Sequence, residues 1–152
     1  MKHLYECMKT NVVAIPQQAT VRQAFELCIR YHVGTLPVVD EDSKLVGVLR
    51  LRDMLALGMP DFVNLIDKLD FIHDFGAVEH PQLESGVLSK LVNQLMRQAV
   101  FVEQTAGLLR ASALLHKHQL SDIPVIDEDG KLVGIASHVD IGLALLSGWM
   151  SE

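Results

Sequence analysis

The amino-acid sequence predicts an α/β (α+β) fold that contains two copies of one sheet-and-helix unit. Residues 36–53 are repeated in similar form at 123–140, 87 positions later and without a gap. Between 32–55 and 119–142 ten positions are identical, most of them in the pattern P-V-x-D-E-D-x-K-L-V-G. Because a single short repeat rarely buries its own apolar face, the two copies are expected to pack together.

Length, composition and charge are typical of a compact globular protein. The 152 residues suffice for one domain, and 49% apolar with 21% charged residues argue against disorder. The formal net charge of −6 argues against nonspecific binding to nucleic acid or an anionic membrane, since both need a basic surface. The sequence has no secretory signal and no apolar run of about 20 residues, so a soluble, cytoplasmic protein is expected.

The first copy, residues 1–57, begins with a predicted strand and helix. An apolar run at 11–15, ended by Pro16, predicts the strand. Thr20 and Gln23 form a capping-box pattern in front of a helix whose apolar residues recur at helical spacing. The predicted buried stripe is Val21, Ala24, Phe25, Cys28 and Ile29.

The same copy continues with a hairpin and a second helix. Residues 36–39 and 44–49 predict two strands, and the polar residues 40–43 predict the turn between them. Pro37 fits only near the start of its strand, where no ladder hydrogen bond is lost. The next helix is predicted to begin at residue 50 or 51 and to end near Leu57.

The second copy, residues 95–152, predicts the same order of elements. Its strands are expected at 99–102, 123–126 and 131–136, and its helices at 108–117 and 138–146. The insert at 58–94 is too long for a structureless loop in a compact domain. Its apolar spacing predicts one helix after Pro60 and another over Leu88–Met96.

The repeated stretch resembles the cystathionine-β-synthase (CBS) domain, whose pattern is h-P-V-h-D-x-x-G-x-h-h-G-h-h-T/S-x-x-D. The resemblance covers about 8–57 and 95–148, and the tandem arrangement is similar to a Bateman module. It implies two repeats related by pseudo-twofold symmetry and a homodimer. It also implies an adenine nucleotide (AMP, ADP or ATP) or an adenosyl ligand, bound without a covalent link in a cleft between the repeats.

Within this resemblance the second copy is the better candidate site. The hydroxyl of Ser137 and nearby backbone N–H groups are expected to meet a phosphate, and Asp140 the ribose hydroxyls. The alternative is structural, because Ser-x-x-Asp is close to a capping box and Ser137 would simply cap a helix. The two interpretations are compatible.

The first copy departs from the family pattern, since Arg50 stands where the pattern has Ser or Thr, while Asp53 is kept. Arg50 would either pair with a phosphate or fill the cleft. Base recognition is expected from backbone and apolar atoms near the first and second strands. The residues concerned are Val100, Phe101, Ser121, Asp122, Ile123 and Pro124 in the second copy and Thr35 and Pro37 in the first.

The leading hypothesis is therefore a stand-alone regulatory protein that binds an adenine nucleotide and signals to an unidentified effector protein. A second hypothesis is a ligand-free scaffold for dimerisation, which Arg50 and Asp122 favour. A metal site and enzymatic activity are not expected, because neither the seven histidines nor any Ser/His/Asp or Cys/His grouping has suitable spacing. The only support for an enzyme is the cluster His73, Asp74 and Glu79 in the insert.

Overall fold

The computed structural model describes residues 3–59 and 82–151. It confirms the α+β class, with two three-stranded sheets and the helices of two equivalent repeats. The predicted helix after Pro60 and the cluster His73, Asp74 and Glu79 lie outside the described residues. No helix among the described residues has the length and apolarity needed to span a membrane.

The first repeat contains three strands and two helices. They are β1 (Ile15–Pro16), α1 (Val21–Tyr31), β2 (Thr35–Val39), β3 (Leu45–Arg50) and α2 (Leu51–Ala56). β1 pairs parallel with β2, and β2 pairs antiparallel with β3. The predicted capping box is confirmed, because Thr20 Oγ1 accepts from the Gln23 N–H at 3.2 Å and Gln23 Oε1 accepts from the Thr20 N–H at 2.9 Å.

The second repeat has the same elements in the same order. They are β4 (Val102–Glu103), α3 (Leu108–His118), β5 (Asp122–Ile126), β6 (Leu132–Ser137) and α4 (His138–Met150). β4 pairs parallel with β5, and β5 pairs antiparallel with β6, as in the first repeat. Each sheet packs its apolar face on its own two helices, so each repeat has its own buried cluster.

Contacts between equivalent residues of the two repeats mark a pseudo-twofold axis. Lys44 and Lys131, 87 positions apart, form an antiparallel bridge between the two hairpin turns. The side chains of Thr35 and Asp122, another equivalent pair, lie close enough to interact, and both residues line the same cleft. Because each of these residues meets its own counterpart, the seam between the repeats runs through both pairs.

The segment in front of each repeat packs on the other repeat. Leu4, fully buried, belongs to the core of the second repeat, and Lys9 forms a bridge with Ile135 of β6. Val92, also fully buried, belongs to the core of the first repeat, and Arg97 forms a bridge with Val48 of β3. This exchange ties the two repeats together by backbone hydrogen bonds as well as by apolar contact.

Three sequence predictions need correction. The first strand of each repeat is only two residues long, because its ladder to the neighbouring strand covers two residues. Ile29 is 79% exposed and not part of the buried stripe. The predicted helix over Leu88–Met96 is wrong: two short 3-10 turns, Val87–Ser89 and Val92–Gln94, stand there instead. The residues between them, Lys90 and Leu91, have extended backbone dihedral angles, and the Lys90 carbonyl accepts from the Val21 N–H at 2.9 Å.

Candidate ligand-binding cleft

A cleft of about 240 Å³ lies at the seam of the two repeats. Residues of β2, β3 and α2 form one wall, and the segment before β4 together with the α3–β5 connection forms the other. The lining residues are Gly34, Thr35, Val48, Arg50, Leu51, Arg52, Val100, Gln119, Leu120, Ser121, Asp122 and Pro124. The cleft therefore contains polar and basic groups beside apolar ones, which suits a ligand with both characters.

The first-repeat wall is basic. Arg50 is the last residue of β3 and Arg52 lies in the first turn of α2, so the strand-to-helix junction brings both side chains to the cleft. The junction is fixed by a hydrogen bond from the Leu51 N–H to the Gly34 carbonyl at 2.8 Å. Its equivalent in the second repeat joins the His138 N–H to the Ser121 carbonyl, also at 2.8 Å.

The second-repeat wall carries one carboxylate, Asp122. Burial raises the pKa of Asp122 above its ordinary value, and the nearby Asp140 acts in the same direction. The hydrogen bond from Thr35 and the charge of Lys9 act in the opposite direction, but they are smaller effects. The carboxyl group is thus held at the axis, where it faces groups from both repeats.

Asp53 lies behind Arg50 and is shared between two arginines. Arg97 Nη2 contacts Asp53 Oδ1 at 2.9 Å, and Arg50 Nε is 4.0 Å from Asp53 Oδ2. The second distance is too long for a hydrogen bond, and among the described residues neither Arg50 Nε nor Asp53 Oδ2, both buried, has a hydrogen-bond partner. Asp53 does not line the cleft between the repeats.

The equivalent pair in the second repeat forms the capping box. The Asp140 N–H donates to Ser137 Oγ at 3.0 Å, and the Ser137 N–H donates to Asp140 Oδ2 at 2.9 Å. Lys9 Nζ lies 3.7 Å from the same carboxylate oxygen. Ser137 and Asp140 are absent from the lining of the cleft described above, so their proposed contacts with a ligand stay predictions.

The structure brings together half of the sequence-predicted site residues. Thr35, Arg50, Val100, Ser121, Asp122 and Pro124 all line the cleft. Phe101 is 46% exposed but is not part of the lining, and the side chains of Ile123 and Pro37 are fully buried in the core. Those two side chains are therefore not available at the cleft surface, and only their backbone atoms remain for the predicted base contacts.

Sequence reasoning missed two basic residues near the site. Arg52 stands two positions after Arg50, and a search for basic residues around the departure from the family pattern would have found it. Arg97 had no such signal, because it is 44 positions from Asp53 and reaches that carboxylate only through the exchange of segments between repeats.

Two equivalent α+β units, joined along a pseudo-twofold seam that holds a polar cleft, define a class of tandem-repeat modules. The model of the CBS domain family matches residues 4–59 and residues 92–147, which together are more than half of the chain. The chain belongs to the CBS domain family, and it contains two CBS domains.

Among characterised relatives, the chloroplastic CBS domain-containing protein CBSX1 of Arabidopsis thaliana is 33% identical over 145 residues. The alignment covers 91% of this chain and 61% of CBSX1, so the chain spans about three fifths of that relative. The inosine-5'-monophosphate dehydrogenase of Aquifex aeolicus is 24% identical over 136 residues, with 88% of this chain and 22% of the dehydrogenase covered. The match thus leaves most of the enzyme's length outside it.

Among solved structures, a crystal structure of CBSX2 from Arabidopsis thaliana in complex with AMP is similar over nearly the whole chain. Its TM-score is 0.72 at 29% identity, and the comparison covers 97% of this chain and 98% of the other. The likeness therefore extends to the arrangement of both repeats.

Proposed function

We propose that this protein is a regulatory CBS-pair protein that binds an adenine nucleotide (AMP, ADP or ATP) in the cleft between its repeats. The observation that carries the proposal is the composition of that cleft. Apolar lining at Val100 and Pro124 suits a purine ring, and hydroxyl and carboxyl groups at Ser121 and Asp122 suit the ribose. The complex of CBSX2 with AMP supports the same class of ligand.

The size of the cleft fits part of a nucleotide. Ligand pockets usually measure roughly 300–1,000 Å³, and the cleft is about 240 Å³. A nucleotide would place its base and sugar inside, with its phosphates at the mouth beside Arg50 and Arg52. Most of the affinity would then come from burying the base, while the arginines would hold the charged end.

A second nucleotide position at Ser137 and Asp140 remains part of the proposal. The hydroxyl of Ser137 already accepts one backbone hydrogen bond, and an oxygen atom has a further lone pair for a ligand. Asp140 Oδ2 is held by the capping box, but its other oxygen makes no hydrogen bond to the described residues. The capping and binding roles are therefore still compatible.

Thermal unfolding with nucleotides tests the proposal. A ligand at about 100 times its Kd adds about 2.7 kcal/mol to the stability of the protein that binds it, which corresponds to a rise in Tm of roughly 5–11 °C for a chain of this size. We expect AMP, ADP or ATP to raise the Tm and CMP, as a pyrimidine control, to leave it unchanged. The absence of a shift with any adenosyl compound at millimolar concentration would favour the ligand-free scaffold.

Two variants assign the site. Loss of the shift in Arg50→Gln but not in Asp140→Ala would locate the nucleotide in the described cleft. The opposite pattern would locate it at the start of α4. Arg110→Gln serves as the matched control, because Arg110 is exposed on α3 and lines no part of the cleft.

We further propose that the protein forms a homodimer and acts on an effector protein. Apolar side chains are exposed on the helices of both repeats, among them Ile29 and Leu55 of the first and Leu143 and Trp149 of the second. On α4 the exposed Val139, Leu143, Leu146 and Met150 recur every three or four positions and so share one face, and contiguous apolar surface of this kind marks contact surfaces. Sedimentation velocity tests the dimer: we expect Leu143→Glu to shift the protein toward the monomer, and a wild-type monomer at high concentration would contradict the proposal.

A further inference from the structure

The cleft has more positive than negative charge on its first-repeat side. Arg50 and Arg52 both line it, and Arg97 stands behind Arg50. The carboxylate that faces these groups is Asp53, and Arg97 already occupies one of its oxygens at 2.9 Å. No ion pair joins Arg52 to any of residues 3–59 and 82–151. Asp53 therefore pairs with two of these three guanidinium groups, and Asp122 is the carboxylate that lines the opposite wall of the cleft.

Arg50 itself is poorly satisfied. Its Nε is buried and lies 4.0 Å from Asp53 Oδ2, and neither atom has a hydrogen-bond partner within residues 3–59 and 82–151. The Arg50 side chain as a whole is 24% exposed and lines the cleft, so a ligand in the cleft can reach the accessible part of its guanidinium group. A guanidinium has five donors in a planar fork that matches a phosphate group better than any neutral acceptor.

Comparison with the second repeat shows that Arg50 is not used to cap the helix that follows it. At the equivalent position Ser137 uses its hydroxyl to cap α4, where the Asp140 N–H donates to it. Arg50 makes no such hydrogen bond with the backbone that follows it. Replacement of the hydroxyl by a guanidinium thus removes a local structural contact and puts a fixed positive charge at the cleft.

We infer that Arg50 determines ligand specificity in this cleft, and that it selects adenine compounds that carry phosphate over uncharged or cationic adenosyl compounds. The inference rests on the proposed nucleotide binding and names the ligand class for the same cleft. Arg50 would donate to phosphate oxygens, and Arg52 would add to the attraction. Asp53, which Arg97 holds in place, would attract the Arg50 guanidinium group from behind.

Isothermal titration calorimetry of the full chain with AMP, adenosine and S-adenosylmethionine tests the inference. A charge-assisted hydrogen bond is worth a factor of roughly ten or more in affinity, so wild-type protein should bind AMP at least tenfold more tightly than adenosine. S-adenosylmethionine, which is cationic, should bind no more tightly than adenosine. Raising KCl from about 50 mM to about 500 mM should reduce the preference for AMP, because salt screens exposed charges.

Variants at residue 50 give the sharper comparison. Arg50→Gln removes the charge and leaves a shorter, neutral polar side chain. We expect it to reduce the ratio of AMP affinity to adenosine affinity to between about 1 and about 3. Adenosine binding itself should change less than about twofold, Arg50→Lys should keep part of the preference, and Arg110→Gln should keep all of it.

The outcomes separate this inference from the proposed function. If wild-type protein binds AMP and adenosine equally well, the selective role of Arg50 is wrong but adenine binding stands. If Arg50→Gln, folded by circular dichroism, keeps the full preference for AMP, the selective role is also wrong. If neither compound binds, the proposed function is wrong, and the selective role of Arg50 is wrong with it. The comparison of AMP with adenosine uses wild-type protein, so it tests the inference even if Arg50→Gln fails to fold.

Discussion

Replacement of Gly47 by alanine should destabilise the protein far more than an ordinary glycine substitution. Gly47 lies in β3, where residues of the exchanged segment cross over it. A Cβ atom at this position would lie 2.7 Å from Met96 Sδ and 2.9 Å from the Arg97 carbonyl oxygen. Carbon atoms do not approach so closely, so one of the neighbours has to move. The Met96 side chain can turn away, but the Arg97 carbonyl is backbone.

The cost follows from what holds that backbone. The Val48 N–H donates to the Arg97 carbonyl, and the Arg97 N–H donates to the Val48 carbonyl, both at 2.9 Å. Overpacking costs about 1–3 kcal/mol, and each of the two strained hydrogen bonds is worth about 0.5–1.5 kcal/mol. Alanine regains about 0.4–1 kcal/mol by restricting the unfolded chain. The expected net loss is about 2–4 kcal/mol of the free energy of unfolding.

Urea unfolding measures this loss, and thermal unfolding should show a fall in Tm of roughly 5–15 °C. Gly134→Ala provides the symmetric test, because its Cβ would lie 2.5 Å from Met8 Sδ and 3.0 Å from the Lys9 carbonyl oxygen. Gly142→Ala is the matched control. It lies in α4, and apart from its own helix no atom of the described residues comes within 4 Å of its added Cβ, so alanine should stabilise the helix there by about 0.5–1 kcal/mol.

The reasoning would be refuted if the free energy of unfolding of Gly47→Ala were within about 0.5 kcal/mol of the wild-type value. That result would mean that the segment ending at Arg97 can shift away from β3 at little cost. The exchange between repeats would then contribute little to stability.

Two further predictions concern the seam and α4. Asp122→Asn should stabilise the protein at pH 7, because burial raises the folded-state pKa of Asp122 and the charged form is therefore disfavoured. Because the folded-state pKa of Asp122 is raised, the wild-type protein loses stability as the pH rises from the ordinary pKa of an aspartate to the folded-state pKa. The stability advantage of Asp122→Asn should therefore be full at pH 7 and shrink as the pH falls toward 4. An equal advantage at pH 4 and pH 7 in urea unfolding would contradict the raised pKa. Ser137→Ala should cost about 1 kcal/mol of stability through loss of the cap on α4, measured by urea unfolding without ligand. Ser147→Ala, at an exposed position of the same helix, is its control, and equal stabilities of the two variants would argue against the cap.

The sequence determined the duplication and the order of elements without help from the structure. Repeated residues fixed the equivalence of the two units, and the local patterns for hairpins, caps and helices are short-range signals that do not depend on the rest of the chain. The Thr20–Gln23 capping box is one example, since it forms between residues three positions apart. Six of the twelve predicted site residues, chosen from their places in the repeat, line the cleft, and their contacts with a ligand stay predictions.

Only the tertiary structure decided which repeat each connecting segment packs on. The apolar spacing over Leu88–Met96 fits a helix as well as it fits the two 3-10 turns that form there. The backbone of this segment instead forms hydrogen bonds with Val21 and its neighbours in the first repeat. That exchange places Arg97 on Asp53 and leaves Arg50 unsatisfied at the cleft. Such contacts depend on the position of whole repeats, so no local pattern in the sequence encodes them.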